Sequence, residues 1–136
     1  MKPSKYSPGN FKLKPKRSSA GLGLFTEDDI KKGACIIEYV GRVIGEKEAY
    51  TSRSRYLFEI NSKITIDGQA RANSARYINH SCRPNCEPVI HQKRIFIMAK
   101  KNIKAGEELT YDYGKEYWND RINPHGCRCE KCQLKK

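Results

Sequence analysis

Three cysteines stand close together near the end of the chain, in the segment HGCRCEKCQ. Cys127, Cys129 and Cys132 fall within six residues, a spacing at which three thiolates can reach one small cation. Zinc is held by four tetrahedral ligands, with sulfur about 2.3 Å from the metal, so a fourth ligand is needed. A closed zinc site can also hold a short tail that buries little apolar surface. The spacing therefore predicts a zinc site, and reduced, metal-free thiols are the alternative.

The fourth ligand is expected from the segment RYINHSCRPNCEP, residues 76–88. This segment places an Asn, a His, a Ser and a Cys side by side, and such polar groups need specific partners when they are buried. Cys82 or Cys86 is the predicted fourth ligand, and His125 is the weaker alternative. A site completed by Cys82 would fasten the tail to this segment.

The elements that must position these residues are expected to be short strands. The segment ACIIEYVGRVI predicts a strand, a turn at Gly41 and a second strand. The segment RYLFEINSKITID predicts strands over residues 57–60 and 64–66, and both patterns are typical of hairpins. KRIFIMAKK predicts another strand, and short helices are expected over residues 46–53 and 72–78. The predicted architecture is mainly β.

One weak internal repeat relates IKKGACI at residues 30–36 to IKAGEEL at residues 103–109. Both copies place a Gly three residues after an Ile, which is typical of a turn. We interpret them as turns that lead into strands, and duplication is the alternative.

Length and charge limit the classes of protein. The 136 residues suit one domain, and 27 basic against 15 acidic residues give a net charge of +12, which favours anionic partners such as nucleic acid. A basic surface that serves solubility alone is the alternative. Residues 1–17 hold six bases and no acid, so residues 1–16 are expected to form a flexible basic arm.

The sequence also bears on location. No apolar run approaches the roughly 20 residues of a membrane span, and the N-terminus lacks the apolar stretch of a signal peptide, so no membrane partner is expected. The chain is expected to be intracellular, either cytoplasmic or, in a eukaryotic cell or delivered to one, nuclear and chromatin-associated. In a reducing compartment its six cysteines are more typical of free thiols or metal ligands than of disulfides.

Four segments occur in a characteristic order: SSAGLGLFT, RYINHSCRPNC, GEELTYDYG and CRC. In these motifs the sequence resembles the SET-domain protein lysine methyltransferases that carry a zinc-binding post-SET tail, and the resemblance runs from Arg17 to Cys132. It implies a mainly β SET fold of short curved sheets with a knot-like C-terminal region. It also implies a SET domain over residues 17–115 and a small zinc-bound tail over residues 116–136, after the arm at residues 1–16.

The implied activity is methyl transfer from S-adenosylmethionine to a lysine of a histone or another protein, with S-adenosylhomocysteine as product. A free lysine has a pKa of about 10.4, so removing its proton to form the neutral amine at pH 7 costs about 4–5 kcal/mol. An aromatic channel and a nearby sulfonium both lower that pKa. Tyr56, Tyr77, Tyr111 and Tyr113 are expected to supply the aromatic groups, with Tyr111 and Tyr113 on one face of an extended segment and Asp112 on the other. Half-buried strand tyrosines with surface hydroxyls are the alternative.

The family's roles carry over residue by residue. Tyr113 is expected to be the catalytic tyrosine, Tyr111 to set the number of methyl groups, chiefly one with dimethylation as the alternative, and Tyr56 to line the junction of channel and cofactor. The glycines of the first motif are expected to let the main chain approach the methionine part of the cofactor. The implied cofactor contacts are Gly21, Leu22, Gly23, Tyr56, Asn79, His80, Tyr113, Trp118 and Arg128. The implied zinc ligands are Cys82, Cys127, Cys129 and Cys132.

Two other classes of protein compete with this interpretation. One is a zinc-stapled, basic module of the same fold that binds nucleic acid or chromatin without catalysis, which would not need NHSC and TYDY together. The other is a cysteine hydrolase that uses His80 with Cys82 or Cys86, which lacks a visible oxyanion site. Transfer of label from S-adenosylmethionine to protein distinguishes them.

Overall fold

The computed structural model describes residues 5–18 and 21–113 of the chain. This part holds ten strands, one α-helix and one 3-10 helix, so the predicted mainly β class is confirmed. The strands are β1 Leu13–Ser18, β2 Gly21–Thr26, β3 Cys35–Tyr39, β4 Arg42–Gly45, β5 Leu57–Glu59, β6 Ile64–Asp67, β7 Asn79–His80, β8 Cys86–His91, β9 Arg94–Ala99 and β10 Glu108–Tyr111. The helices are α1 Glu46–Thr51 and the 3-10 helix Ser74–Tyr77.

The strands form three small sheets. The largest has the order β1-β2-β10-β7, in which β10 runs antiparallel to β2 and parallel to β7. The other two, β3-β9-β8 and β4-β6-β5, are antiparallel. Most of these neighbours are far apart in sequence, so the sheets depend on long-range pairing.

One apolar core joins the sheets. Strand β9 is buried from Ile95 to Ala99 because it lies in the middle of its sheet. Leu24 of β2 and Leu109 of β10 are cross-strand partners and are both fully buried. The β-branched side chains of Ile95 and Ile97 in β9 suit the pleated surface of a buried strand.

The predicted hairpin between β5 and β6 is confirmed, since the two strands pair antiparallel. The Asn61 side chain closes the turn, because its Oδ1 accepts hydrogen bonds from the N–H groups of Lys63 at 2.8 Å and Ile64 at 2.9 Å. Asn is favoured in turns for this kind of local bond.

The predicted hairpin around Gly41 is wrong, although both of its strands exist. β3 pairs with β9, and β4 pairs with β6, so the chain passes from one sheet to another at Gly41. A Cβ on Gly41 would lie 2.1 Å from the carbonyl oxygen of Asp67, so only glycine allows this close approach of two backbones. The pattern of two strands and a glycine does not reveal which partners bury Ile36 and Ile44 most completely.

We expect Gly41→Ala to lower the free energy of unfolding by about 1–3 kcal/mol, because the added methyl group meets backbone atoms that cannot move aside as a side chain can. Gly45→Ala is the matched control, since a Cβ there meets no atom within 4 Å. Urea denaturation of both variants measures the difference. Equal stability of the two would show that the contact at Gly41 relaxes freely.

Both predicted helices exist, and the second is a 3-10 helix. The two copies of the internal repeat are turns that lead into strands, as expected, and they contact each other. Ile30 and Ile103 exchange two backbone hydrogen bonds of 2.7 Å. Gly33 and Gly106 take the positive φ values of 89° and 95° that these turns require.

The end of the predicted basic arm is ordered. Residues 13–16 belong to β1, which pairs with β2 along its whole length, because Phe11 and Leu13 pack against the core. The predicted boundary at residue 16 therefore falls inside a strand. No helix within residues 5–18 and 21–113 is long and apolar enough to cross a membrane.

Candidate active site

Three of the sequence motifs meet in the four-stranded sheet. Leu109 of β10 pairs with Leu24 of β2, which follows the two glycines of the first motif. On its other edge β10 pairs in parallel with β7, so that Tyr111 lies beside His80. The sheet thus holds the glycine motif, the Asn-His pair and the tyrosine motif next to one another.

The two tyrosines of β10 and its extension lie on the same side, as expected from an extended segment. The ring centroids of Tyr111 and Tyr113 are 5.0 Å apart, while Asp112 is exposed. Tyr111 is buried, and Tyr113 is half-buried with its hydroxyl donating a hydrogen bond to the carbonyl oxygen of Ile78. The hydroxyl proton of Tyr113 is therefore directed to the carbonyl oxygen of Ile78.

A row of aromatic rings continues from this pair. The Phe58 ring lies 6.2 Å from Tyr111 and 5.5 Å from Tyr39, and the Tyr39 hydroxyl donates a 2.6 Å hydrogen bond to the carbonyl oxygen of Tyr56. Sequence reasoning missed Tyr39 and Phe58, because they come from β3 and β5 and reach the site only through the packing of different sheets. Such a wall disfavours a charged ammonium by desolvation.

Arg76 was also missed, and it stands between two of the predicted aromatic residues. Its guanidinium carbon lies 5.2 Å from the ring centroid of Tyr56 and 4.8 Å from that of Tyr77. Its Nη2 donates a 2.9 Å hydrogen bond to the Tyr77 hydroxyl, and that bond raises the pKa of Arg76. A fixed cation beside Tyr56 repels a second positive charge, so it also favours a neutral amine nearby. Arg76 directly precedes Tyr77 in the sequence, and this adjacency is the signal from which its contact with Tyr77 could have been predicted.

His80 supports the tyrosine segment through its side chain. Its Nδ1 accepts a 3.1 Å hydrogen bond from the backbone N–H of Tyr113, so in the neutral ring the proton is on Nε2. Burial lowers the pKa of His80, and the nearby Asp112 carboxylate acts in the opposite, weaker direction. The ring is therefore neutral at pH 7. Its protonated Nε2 faces the Cys82 sulfur at 3.7 Å and cannot serve as a base for that thiol, which argues against the hydrolase alternative.

Asn79 ties the glycine motif to β10. Its Nδ2 lies 2.9 Å from both the Leu22 carbonyl oxygen and the Glu108 carboxylate, and 3.2 Å from the Ser18 hydroxyl. A Cβ on Gly23 would lie 2.2 Å from the Glu108 carboxylate, so the Glu108 side chain occupies the space that the missing Cβ leaves. Glu108 was not predicted from the sequence, because only strand pairing brings it opposite this motif.

Gly21 differs from Gly23. It has a φ of 99° and no atom within 4 Å of where a Cβ would be, so its surface is open. Leu22 exposes 55% of its surface, and its side chain lies on the other face of β2. A ligand can therefore approach the main chain at Gly21. At Gly23 the side chains of Glu108 and Asn79 occupy that space.

The cysteines of residues 76–88 differ in their surroundings. Cys86 is 1% exposed in β8, its thiol contacts the Asn85 side-chain oxygen at 3.3 Å, and burial raises its pKa to about 12. The burial of the Cys86 sulfur in β8 leaves it less accessible to an ion than a cysteine in a turn. Cys82 is half-buried in the turn after β7, which agrees better with a ligand role.

The other predicted ligands and contacts lie outside the described residues. They are Trp118, His125, Cys127, Arg128, Cys129 and Cys132. Within residues 5–18 and 21–113, no three side chains of His, Cys, Asp or Glu are grouped to hold a metal.

Several curated proteins are similar in sequence to this chain. Histone-lysine N-methyltransferase trithorax of Drosophila virilis is 38% identical over 125 residues, which cover 83% of this chain and 3% of that protein. Histone-lysine N-methyltransferase 2D of Homo sapiens is 39% identical over 83% of the chain and 2% of that protein. Histone-lysine N-methyltransferase trr of Drosophila melanogaster is 43% identical over 80% of the chain and 5% of that protein.

The chain thus spans a small fraction of the length of these curated relatives. The family model described as the SET domain matches residues 21–114, which is more than half of the chain and includes the strands β2, β7 and β10 that carry the three motifs. The chain therefore belongs to the SET-domain family.

Proposed function

We propose that the chain is a protein-lysine N-methyltransferase that uses S-adenosylmethionine. The observation that carries this proposal is the parallel pairing of β7 with β10, which sets the Asn-His pair beside the two tyrosines and next to the glycine motif. The names of its relatives, all histone-lysine methyltransferases, support the same reaction class. A module that only binds nucleic acid would not need the NHSC and TYDY motifs together.

The residues at the glycine motif suit this cofactor. S-adenosylmethionine supplies a methyl group on a sulfonium, and its methionine part ends in an ammonium and a carboxylate. The open main chain at Gly21 leaves room for that part, and the Glu108 carboxylate and Asn79 amide nearby offer groups that bind charge. We assign Gly21, Asn79 and the main chain of the motif to the cofactor, and Trp118 and Arg128 stay proposals for its adenosine part.

The aromatic residues would act on the substrate amine. Desolvation by Tyr111, Phe58 and neighbouring rings lowers the pKa of the incoming lysine, which exposes the nitrogen lone pair. The Tyr113 hydroxyl donates a hydrogen bond to the Ile78 carbonyl oxygen. Its oxygen can accept a hydrogen bond from the amine and so orient that lone pair. The same oxygen stabilises the positive charge that grows on nitrogen during transfer.

The number of methyl groups added should depend on Tyr111. Its buried ring lies 5.0 Å from Tyr113, so a hydroxyl or a water held beside it fills space that a methylated amine needs in order to turn for another attack. We expect the unmodified chain to make chiefly monomethyl-lysine. We expect Tyr111→Phe to shift the product toward di- and trimethyl-lysine, because releasing such a water changes the free energy by about 0–2 kcal/mol and each 1.4 kcal/mol changes a ratio about tenfold.

Mass spectrometry of a peptide with a single lysine, after exhaustive reaction, measures the product ratio. The rate of the first transfer is the internal control and should change little in Tyr111→Phe. Trimethyl-lysine from the unmodified chain would show that Tyr111 does not limit the site.

The remaining assignments follow the same family pattern. We propose that residues 116–136 form a zinc-bound tail fastened to Cys82, after a SET domain that extends over residues 17–115. We propose a histone lysine as substrate and a nuclear, chromatin-associated location, on the names of the relatives. The net charge of +12 supports contact with the nucleic acid of chromatin.

The reaction itself is tested by incubating the chain with S-adenosylmethionine labelled on the methyl group and with core histones. We expect label on histone lysine and production of S-adenosylhomocysteine. Binding of histones or DNA without transfer of label would favour the binding module of the same fold.

A further inference from the structure

Lysines line the outer strand of the four-stranded sheet. Lys14 and Lys16 lie in β1, Lys12 directly precedes it, and all three are exposed. Alternate residues of a strand share a face, and Leu13 between them packs against the core, so the three lysines point away from the core. We call Lys12, Lys14 and Lys16 the lysine row.

Acidic residues lie beside the row, but none of them forms an ion pair with it among the described residues. The first 26 residues contain no Asp or Glu, and the ion pairs of the described residues, which involve Arg42, Arg94 and His80, do not include these lysines. Glu27 lies opposite Lys12 and donates a 2.8 Å backbone hydrogen bond to its carbonyl oxygen, and Asp28 accepts a 2.8 Å hydrogen bond from the Lys12 backbone N–H. The Glu108 carboxylate lies over Gly23, the cross-strand partner of Lys16. The three lysine side chains are therefore exposed along one strand, and no ion pair of the described residues neutralises them.

The position of the row is fixed by the fold. Lys14 is the cross-strand partner of Phe25, and the Lys16 Nζ lies 5.8 Å from the centroid of the Phe25 ring, so both lysines stand over one face of the β1–β2 pair. Residues two apart in a strand are about 6.8 Å apart, so the row spans about 14 Å. One strand of DNA carries a phosphate about every 3.4 Å along the helix axis, so about four phosphates fall within this length.

We propose that the lysine row binds the phosphate backbone of double-stranded DNA. A lysine ammonium is a point charge without the planar fork that arginine offers, so the contact is to phosphates and independent of base sequence. This inference rests on the proposed function and deepens it, because it names the surface that would make the proposed contact with the nucleic acid of chromatin. In a chromatin enzyme it would hold the sheet that carries the glycine motif against nucleosomal DNA.

Two alternative roles for the row predict different results. An anionic membrane surface is less suited, since the large exposed apolar residue of the β1–β2 pair, Leu22, points to the opposite face. Lysine and proline on an edge strand also block pairing with other chains, and Lys14, Pro15 and Lys16 suit that role. Edge protection alone predicts no binding of DNA.

The test compares two triple variants with the same change in charge. One replaces Lys12, Lys14 and Lys16 by Gln, and the control replaces Lys31, Lys100 and Lys101, which are exposed at the paired turns, by Gln. Fluorescence anisotropy with two unrelated 30-base-pair duplexes, from 50 to 200 mM salt, measures affinity. We expect the row variant to bind both duplexes more weakly and to reduce the slope of log K against log salt by about three. The control should keep the slope.

Several results would overturn the proposal. Equal losses in the two variants would show that net charge and not the row binds DNA, and an unchanged row variant would leave edge protection as its role. Binding of the unmodified chain to phosphatidylserine vesicles in the same salt range, lost in the row variant, would assign the row to membranes. Methylation of a short peptide should be equal in both variants, so failure of the methyltransferase proposal would appear separately, as no transfer by any of the proteins.

Discussion

Replacing Tyr113 by Phe is expected to reduce turnover about 100- to 1000-fold, which is the effect of losing one hydrogen-bonding group at a developing charge. The Tyr113 hydroxyl donates a hydrogen bond to the Ile78 carbonyl oxygen, and the Tyr113 backbone N–H donates one to His80. The hydroxyl oxygen therefore has a fixed position. Phe keeps the ring beside Tyr111 and removes only this oxygen. Steady-state kinetics with a single-lysine peptide measures the loss.

The fold and the affinity for the cofactor should survive this substitution, because the ring contacts remain. Thermal unfolding and calorimetric titration with S-adenosylhomocysteine check both. Tyr50→Phe is the matched control, since Tyr50 is 91% exposed on α1 and is not part of the aromatic site. Near-normal turnover of Tyr113→Phe would remove Tyr113 from the mechanism.

The second large effect is expected for Cys82. We predict that the chain binds one zinc ion through Cys82 and the three tail cysteines, and that Cys82→Ser loses most of this metal, because a serine hydroxyl is a poor replacement for a thiolate ligand. Chelation of the zinc should weaken binding of S-adenosylhomocysteine as well, since Cys82 follows the Asn-His pair assigned to the cofactor by two residues. Metal analysis after dialysis and titration with S-adenosylhomocysteine give the two readings.

The substitution Cys86→Ser tests whether Cys86 is a zinc ligand or a buried core residue. Its thiol is buried and its pKa is raised to about 12, so we expect full zinc content and a loss of stability of about 1–3 kcal/mol from the buried hydroxyl. Undiminished zinc in Cys82→Ser together with loss in Cys86→Ser would reverse the assignment. Loss in neither variant would point to His125 as the fourth ligand.

The sequence by itself determined the class of fold and those contacts that depend on neighbouring residues. Alternation placed Tyr111 and Tyr113 on one side, and the structure confirms it with a ring distance of 5.0 Å. The β5–β6 hairpin was predictable because its turn is closed locally by the Asn61 side chain. In both cases the relevant interaction lies within a few residues of chain, so local pattern is sufficient.

The tertiary structure alone decided how distant segments combine. The strands around Gly41 were predicted, but their partners were not, because the choice depends on which distant strand buries more apolar surface. The approach of Arg76 to Tyr56, and of Glu108 to Gly23, follows from packing that no local pattern encodes. The residue types indicated the chemistry, whereas long-range strand pairing set the Asn-His pair, the tyrosines and the glycine motif side by side.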